Sequence, residues 1–466
     1  SFILPIGQRD KIFPLKARAG LALYDLLAGQ LTGTKRHEKL SKKIVLDTVP
    51  ALNPQIISGG LRFHDCITDD ARLVIEVIKS ACSMGALAIN YLKATGFEMK
   101  DGLISAVKCH DRYSGKDISL ATRTCVNAAG VWSDQVSTLV EPAWKNQVVP
   151  AKGIHIMVPG SSFETNSALF LPTRDKRYVF VVPWQRALMI GTTDTNFKGD
   201  IENALPEPEE IEYLLGVVNE YAGATVLKKQ DVIAAWAGLR PLVGESDKAM
   251  IEKDDSDTST STISREHYMF EGPANMIGLI GGKLTNYRIL AAHVVETIAT
   301  KLPGDTRIGP SKTGTTMLGG WGSKEGYLTG SAEISARARR LALEPAILDH
   351  LTAGYGACAM EILDFIEQDP FLGKRICPDF PPVMAEVVFA IKQEMAVSLE
   401  DILFRRIRLG FVHQEQTREA IGKVARLVQS ITGWDKQRTG VEVDSILRTL
   451  HEHMIFSDNK QKEEVL

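Results

Sequence analysis

The sequence predicts an α/β chain: a strand-rich N-terminal part with mixed and antiparallel sheet, followed by an all-α C-terminal domain. Three observations predict it. Between Val148 and Leu242 short apolar runs alternate with turn residues, among them "GIHIMVP", "RYVFVVPW" and "ALMIGTTDT", the pattern of strands. After about residue 326 apolar residues recur at spacings of three and four throughout, the period of helices. Between the two lies "KLPGDTRIGPSKTGTTMLGGWGS", rich in Gly, Pro, Ser and Thr, which reads as a linker. With 466 residues the chain exceeds one ordinary core, and the expected division is 1–302, a linker at 303–325, and a helical domain at 326–466.

In chain order, residues 1–60 read as mostly helical after an extended start, and Gly29 closes "KARAGLALYDLLAGQ". In "TDDARLVIEVIKSACSMGA", Thr68, Asp69 and Asp70 supply capping oxygens and negative charge at a helix start. Val74, Val77, Ile78 and Ala81 form its expected buried stripe, and Gly85 stops it. "ALAINYL" reads as a strand. Leu103–His110 and Lys116–Leu120 flank Ser114-Gly115 as a hairpin. "TCVNAAGVWSDQV" reads as strand, small residues, then helix. "PEPEEIEYLLGVVNEYAG" is a helix with acids in its first turn. Residues 244–262 are polar and read as a surface loop. "LIGGKLTNYRIL" ends a strand in two glycines and a lysine, then starts a helix on Leu284, Tyr287, Ala291, Val294 and Ile298. Ser398 to Asp401 has capping-box form, with Asp for Glu.

Composition narrows the function classes. A net charge of −3 makes no general case for nucleic acid. Six cysteines at 66, 82, 109, 125, 358 and 377 contain no C-x-x-C, so neither a metal site nor a disulfide framework is expected. No apolar run approaches the roughly 20 residues of a spanning helix, while surface attachment to a membrane needs only an amphipathic helix.

Gly281 and Gly282 bare the backbone to a ligand. The N–H groups of Lys283, Leu284 and Thr285 and the following helix favour an anion, and Lys283 adds a full charge. A tight turn beside a solvated lysine accounts for this stretch equally well by itself. Arg240 in "WAGLRPL" needs a partner among apolar neighbours; a phosphate and an internal carboxylate fit alike. Arg265 in "SREHY" suits a phosphate or a pair with Glu266. These three cations fall between positions 240 and 283. His155 in "KGIHIMVP" has the chemistry of a general base, though lone strand histidines are more often structural. Ala129, Gly130 and Trp132 follow a strand where small residues admit a flat or phosphorylated cofactor, or simply make a packing turn. "IGTTDT" offers hydroxyls to a ligand or closes a strand.

In order and spacing, "GGLRFHDCITDDARLV", "VNAAGVWSD", "KGIHIMVP", "FVVPW", "IGTTDT", "WAGLRPL", "SREH" and "GGKLTNYR" resemble FAD-dependent glycerol-3-phosphate dehydrogenase. The C-terminal "AEVVFAIKQEMAVSLEDILFRRIRL" is similar to that family's helical domain. The resemblance covers nearly the whole chain. It implies a Rossmann-like FAD-binding part interleaved with a substrate subdomain in an α+β flavoprotein. It implies oxidation of sn-glycerol 3-phosphate to dihydroxyacetone phosphate by hydride transfer from C2 to flavin N5. His155 then matches the active-site histidine and, with Arg240, is a catalytic residue. Arg240, Arg265 and Lys283 match the basic substrate positions. Ala129, Gly130, Trp132, Gly281, Gly282, Lys283, Leu284 and Thr285 match FAD contacts. A quinone acceptor, peripheral attachment at the cytoplasmic face of a bacterial membrane or at the mitochondrial inner membrane, and possible oligomerisation follow from the same resemblance.

No G-x-G-x-x-G occurs in the 466 residues, and the family's "SSKLxHGGxRYL" segment has no counterpart. The chain opens at Ser1 in mid-pattern, so it is expected to begin just after that region, with FAD bound by a full-length parent. Rival readings are a glycerol-3-phosphate oxidase using O2, an amine or amino-acid oxidase of similar architecture, and a flavin-free fragment or interaction module.

Overall fold

The computed structural model describes residues 1–7, 13–32, 35–244, 267–302 and 309–454. A nine-stranded sheet forms the centre. From one edge it runs Glu38–Ser41, Ile57–Phe63, Phe2–Gly7, Ala168–Pro172, Tyr178–Trp184, Ala187–Gly191 and Val148–Pro159. Ala234–Val243 pairs with the far side of Val148–Pro159, and the short Thr195–Asn196 continues the near side beyond Gly191. Phe2–Gly7 and Ala168–Pro172 are parallel; the other pairs are antiparallel. Two three-stranded sheets flank it: Tyr268–Glu271, Met276–Ile280 and Cys125–Asn127, and the meander Leu92–Lys100, Leu103–Asp111 and Asp117–Ala121.

Alternation along Val148–Pro159 splits the chain between two cores. Ile154, Ile156 and Val158 point back and are sealed by Ile211, Leu214 and Val218 of helix Pro208–Ala222. Met157 points forward and joins Ala187, Ala234 and the helical domain's Phe389, Ile402 and Val424 in one cluster. The C-terminal helices begin at Lys324 and therefore cover the front of the sheet rather than standing apart.

After the extended start Phe2–Gly7, helices Phe13–Thr32 and Lys42–Thr48 fill most of the described residues up to 60, as expected, while Glu38–Ser41 and Ile57–Phe63 add two strands to the central sheet. Several expectations change. Helix Phe13–Thr32 runs past Gly29, which a helix interior tolerates for about 1 kcal/mol. Helix Asp70–Ser83 has its expected cap, with Asp69 accepting the Arg72 N–H at 3.1 Å. Its stripe is turned, however: Val74 and Ile78 are exposed and Arg72 is buried. The cause is polar, because Arg72 donates through both terminal nitrogens to Glu394 at 2.8 Å and through Nε to the Gly354 carbonyl. The strand expected over Ala86–Leu92 starts only at Leu92. Here the chain crosses to the helical domain, with Asn90 donating to the Met395 carbonyl and Tyr91 to Asp401. At Ser398 the capping hydroxyl accepts from Asp401 N–H, while Asp401 accepts from Val397, one residue earlier than a capping box requires. The loop expected at 244–262 lies outside the described residues from position 245.

Candidate active site

The front of the central sheet gathers the chemistry. Its antiparallel register sets His155 beside Gly191 and Trp236, Gly153 beside Gly238, and Ala151 beside Arg240. Paired residues of antiparallel strands share a face, so ring, guanidinium and three glycines lie on one side. The glycines are space for the side chains. A Cβ on Gly191 would sit 2.1 Å from His155 Cδ2, and one on Gly153 would sit 2.4 Å from Arg240 Nη2. Gly238 meets nothing within 4 Å, leaving open surface between the two groups.

His155 stacks on Trp236 with centroids 5.5 Å apart and planes at 14°. Burial and then the Arg240 cation push its pKa down to about 4, against a smaller opposing pull from Asp70. The imidazole is therefore neutral near pH 7, the form that accepts a proton. Arg240 Nη2 donates to Thr192 Oγ1 at 3.1 Å and to the Thr193 carbonyl at 3.4 Å, and Nη1 stands 3.5 Å from Asp194 Oδ1. So an internal carboxylate does accompany Arg240; the side chain as a whole is 29% exposed, while Nη1 itself is buried.

A cavity of about 230 Å³ opens beside His155, walled by Trp184, Trp236 and Phe411 and by Asp69, Asp70 and Arg408. Arg408, at φ +68°, comes from the helical domain and lies 2.7 Å from Asp70 and 3.4 Å from Asp69. Sequence reasoning took Asp69 and Asp70 only as caps and did not single out Arg408. The available signal was an acid beyond the one the cap uses.

Beside this face, Cys125–Asn127 and Met276–Ile280 run parallel with Gly278 opposite Asn127. Their carboxyl ends open into Ala128-Ala129-Gly130 and Gly281-Gly282-Lys283. The turn Gly130–Trp132 packs against both Val148–Pro159 and Ala234–Val243. Gly130, Gly281 and Gly282 have φ of +59°, +73° and +92°, where only glycine is unstrained. A 3-10 turn, Leu284–Asn286, intervenes before helix Tyr287–Lys301, so the helix does not begin at Lys283. Lys283, Leu284 and Thr285 are exposed. Trp132 is 41% exposed, and a Cβ on Gly130 would meet nothing within 4 Å. Bare backbone at two neighbouring carboxyl ends fits a flat cofactor with a polar edge.

The structure thus joins His155 to Arg240 and sets both glycine turns at the edge of their sheet. Lys283 is not joined to them: among the described residues its side chain makes no hydrogen bond or ion pair. Arg265 lies outside the described residues.

Comparison with known proteins follows the same division. Residues 4–288 match the family model of FAD dependent oxidoreductases, and residues 311–439 match the C-terminal domain of alpha-glycerophosphate oxidase. Glycerol-3-phosphate dehydrogenase 2 of Mycobacterium bovis is 31% identical over 445 residues, covering 95% of this chain and 72% of that protein. Glycerol-3-phosphate dehydrogenase of Synechocystis is 32% identical over 453 residues, covering 94% and 78%. The Bacillus halodurans glycerol-3-phosphate dehydrogenase solved with FAD shares the fold, with a TM-score of 0.76 over 97% of this chain and 81% of that one at 24% identity.

Proposed function

The chain belongs to the FAD-dependent oxidoreductases and, among them, to the glycerol-3-phosphate dehydrogenases, and on that premise we propose that it oxidises sn-glycerol 3-phosphate at C2 to dihydroxyacetone phosphate. The observation that carries this reading is a neutral, partly buried imidazole and a partly exposed arginine side chain on one glycine-bared face. His155 takes the C2 hydroxyl proton. Arg240 holds the phosphate end and polarises the developing carbonyl. Arg265 and Lys283 add charge for the phosphate. Bound FAD supplies the acceptor for hydride from C2, at N5. The residues that would hold it are Ala129, Gly130 and Trp132 on one turn and Gly281, Gly282, Lys283, Leu284 and Thr285 on the other. Amides of the second turn would face the ring edge that gains negative charge. The catalytic unit is 1–302 and the helical domain 326–466.

Electrons then pass to a quinone. The dehydrogenase names of the relatives favour this over direct use of O2. No helix among the described residues is long and apolar enough to cross a membrane. Helix Phe13–Thr32 nonetheless exposes Leu15, Leu23, Leu26 and Leu27 beside Lys16 and Arg18, which supports a peripheral contact with a bilayer, cytoplasmic in a bacterium or at the inner membrane of a mitochondrion. The test is a visible spectrum of the FAD-loaded protein before and after anaerobic glycerol 3-phosphate. Bleaching at 1 equivalent per flavin is expected, roughly; a spectrum left unchanged sinks the substrate reading. Oxygen uptake matching turnover would make the enzyme an oxidase instead.

A further inference from the structure

Behind the sheet, opposite His155 and Arg240, lies an ion pair that the reaction as described does not use. Lys152 and Glu210 have side chains only 3% and 7% exposed, with Nζ 3.0 Å from Oε2. Lys152 also reaches Glu207 at 2.9 Å and the Leu205 carbonyl at 3.2 Å. Stability alone explains such a pair poorly, because well-packed apolar residues often serve as well in a protein interior.

What Glu210 does with its second oxygen is more specific. Oε1 accepts from Thr193 Oγ1 and from Thr195 Oγ1, each at 3.2 Å. Thr193 Oγ1 accepts in turn from the N–H of Ile154, next to His155, at 3.0 Å. One buried carboxylate therefore fastens both ends of Thr193-Asp194-Thr195. The oxygens that orient Arg240 come from this same loop: Thr192 Oγ1, the Thr193 carbonyl and Asp194 Oδ1. The chain of contacts runs from helix Pro208–Ala222 through the sheet to the guanidinium on the other side.

We propose that Glu210 and Thr193 are positioning residues, holding the Thr192–Asp194 loop in the one register that aims Arg240 at the substrate's phosphate. This rests on the proposed phosphate role of Arg240. Neither residue touches substrate; both act through the guanidinium.

The experiment uses the FAD-loaded enzyme and reads KM, kcat and the calorimetric Kd for glycerol 3-phosphate. Glu210→Gln, Thr193→Val and Thr193→Ser are each made alone and together with Arg240→Leu. Glu210→Gln and Thr193→Val are expected to raise KM and Kd about 10-fold while kcat stays within about 3-fold. Thr193→Ser keeps the hydroxyl and should restore wild-type values. In the Arg240→Leu background the same changes should add less than about 2-fold, because residues acting through one group are not additive. Effects that multiply in that background, or that Thr193→Ser fails to rescue, overturn the proposal. Should Glu210→Gln not fold, the near-isosteric Val and Ser pair at Thr193 decides alone. A wild-type enzyme that binds no glycerol 3-phosphate overturns the substrate reading along with this one. Wild-type binding with multiplying variants overturns the positioning role only.

Discussion

The front of the sheet at His155 and the seam between helix Asp70–Ser83 and the helical domain both hold charge away from water, in opposite ways. At the seam every strong group is saturated. Arg72 donates to both oxygens of Glu394, to Glu76 and to the Gly354 carbonyl, and its guanidinium lies 4.3 Å from the Tyr355 ring centroid. Glu394 is fully buried. A step further, Glu386 accepts from Tyr355 Oη at 2.6 Å and the Val383 N–H at 2.6 Å, and its Oε2 lies 2.8 Å from His350 Nε2. At the front, the imidazole stacks on Trp236 with no carboxylate on either nitrogen among the described residues, the Arg240 side chain is partly exposed, and glycines keep the surface bare. Saturated, buried charge staples two parts of the chain; charge on a partly exposed face beside bare backbone is where a ligand can compete.

The largest effect that tests this contrast is at the front. His155→Ala should lower kcat by about 10²- to 10⁴-fold with the melting temperature little changed. Because the histidine's pKa is pushed down to about 4, the base is neutral through physiological pH. In steady-state kinetics, kcat/KM should fall only as pH drops toward that value, not near the ordinary 6.5. Arg240→Leu removes the cation that helps depress it, so the acid limb should move up in pH. Wild-type rates in His155→Ala would end the catalytic assignment.

The seam should answer differently. Arg72→Leu leaves the buried Glu394 with only the longer pair to Lys79 at 3.6 Å, and losing one partner of a buried pair costs about 3–5 kcal/mol. Denaturant unfolding measures it. Per folded molecule, kcat for glycerol 3-phosphate should stay near wild type, and a loss comparable with His155→Ala would erase the distinction between staple and site.

Much of the front was legible in the sequence, and little of the seam. His155 and the paired strands announced themselves by period-two alternation, and Gly281-Gly282-Lys283 by glycine before a cation. Arg240 stood out as a charge among apolar neighbours. The partners were not legible, because they come from far along the chain: Arg408 reaches Asp70 across 338 residues, and Arg72 reaches Glu394 across 322. No local pattern encodes such pairings. The helix at Asp70 failed for the same reason: its apolar stripe was real, but the buried side was chosen by an arginine whose partner lies in the other domain. In the first 63 residues, strands that join a distant sheet carry no helical or hairpin period of their own. The helical domain was easier, since its contacts are mostly between neighbouring helices.

The smallest of these effects lies inside the staple and tests whether saturation itself stabilises. Tyr355→Phe keeps the ring and removes one donor from the buried Glu386 carboxylate. A hydrogen bond to a charged group contributes about 1.5–3 kcal/mol, so the variant should lose roughly that at neutral pH. Burial alone would lower the pKa of His350, but pairing with Glu386 outweighs it and holds the value above 6.5. A raised folded pKa gives stability that is full below the unfolded value and is lost as pH rises through the folded one. Without the tyrosine hydroxyl, Glu386 depends more on the protonated imidazole. The gap between variant and wild type should therefore be smallest below pH 6.5 and widen above it. Denaturant midpoints across that range give the answer, and a gap independent of pH would mean that Tyr355 and His350 serve Glu386 separately rather than as one network.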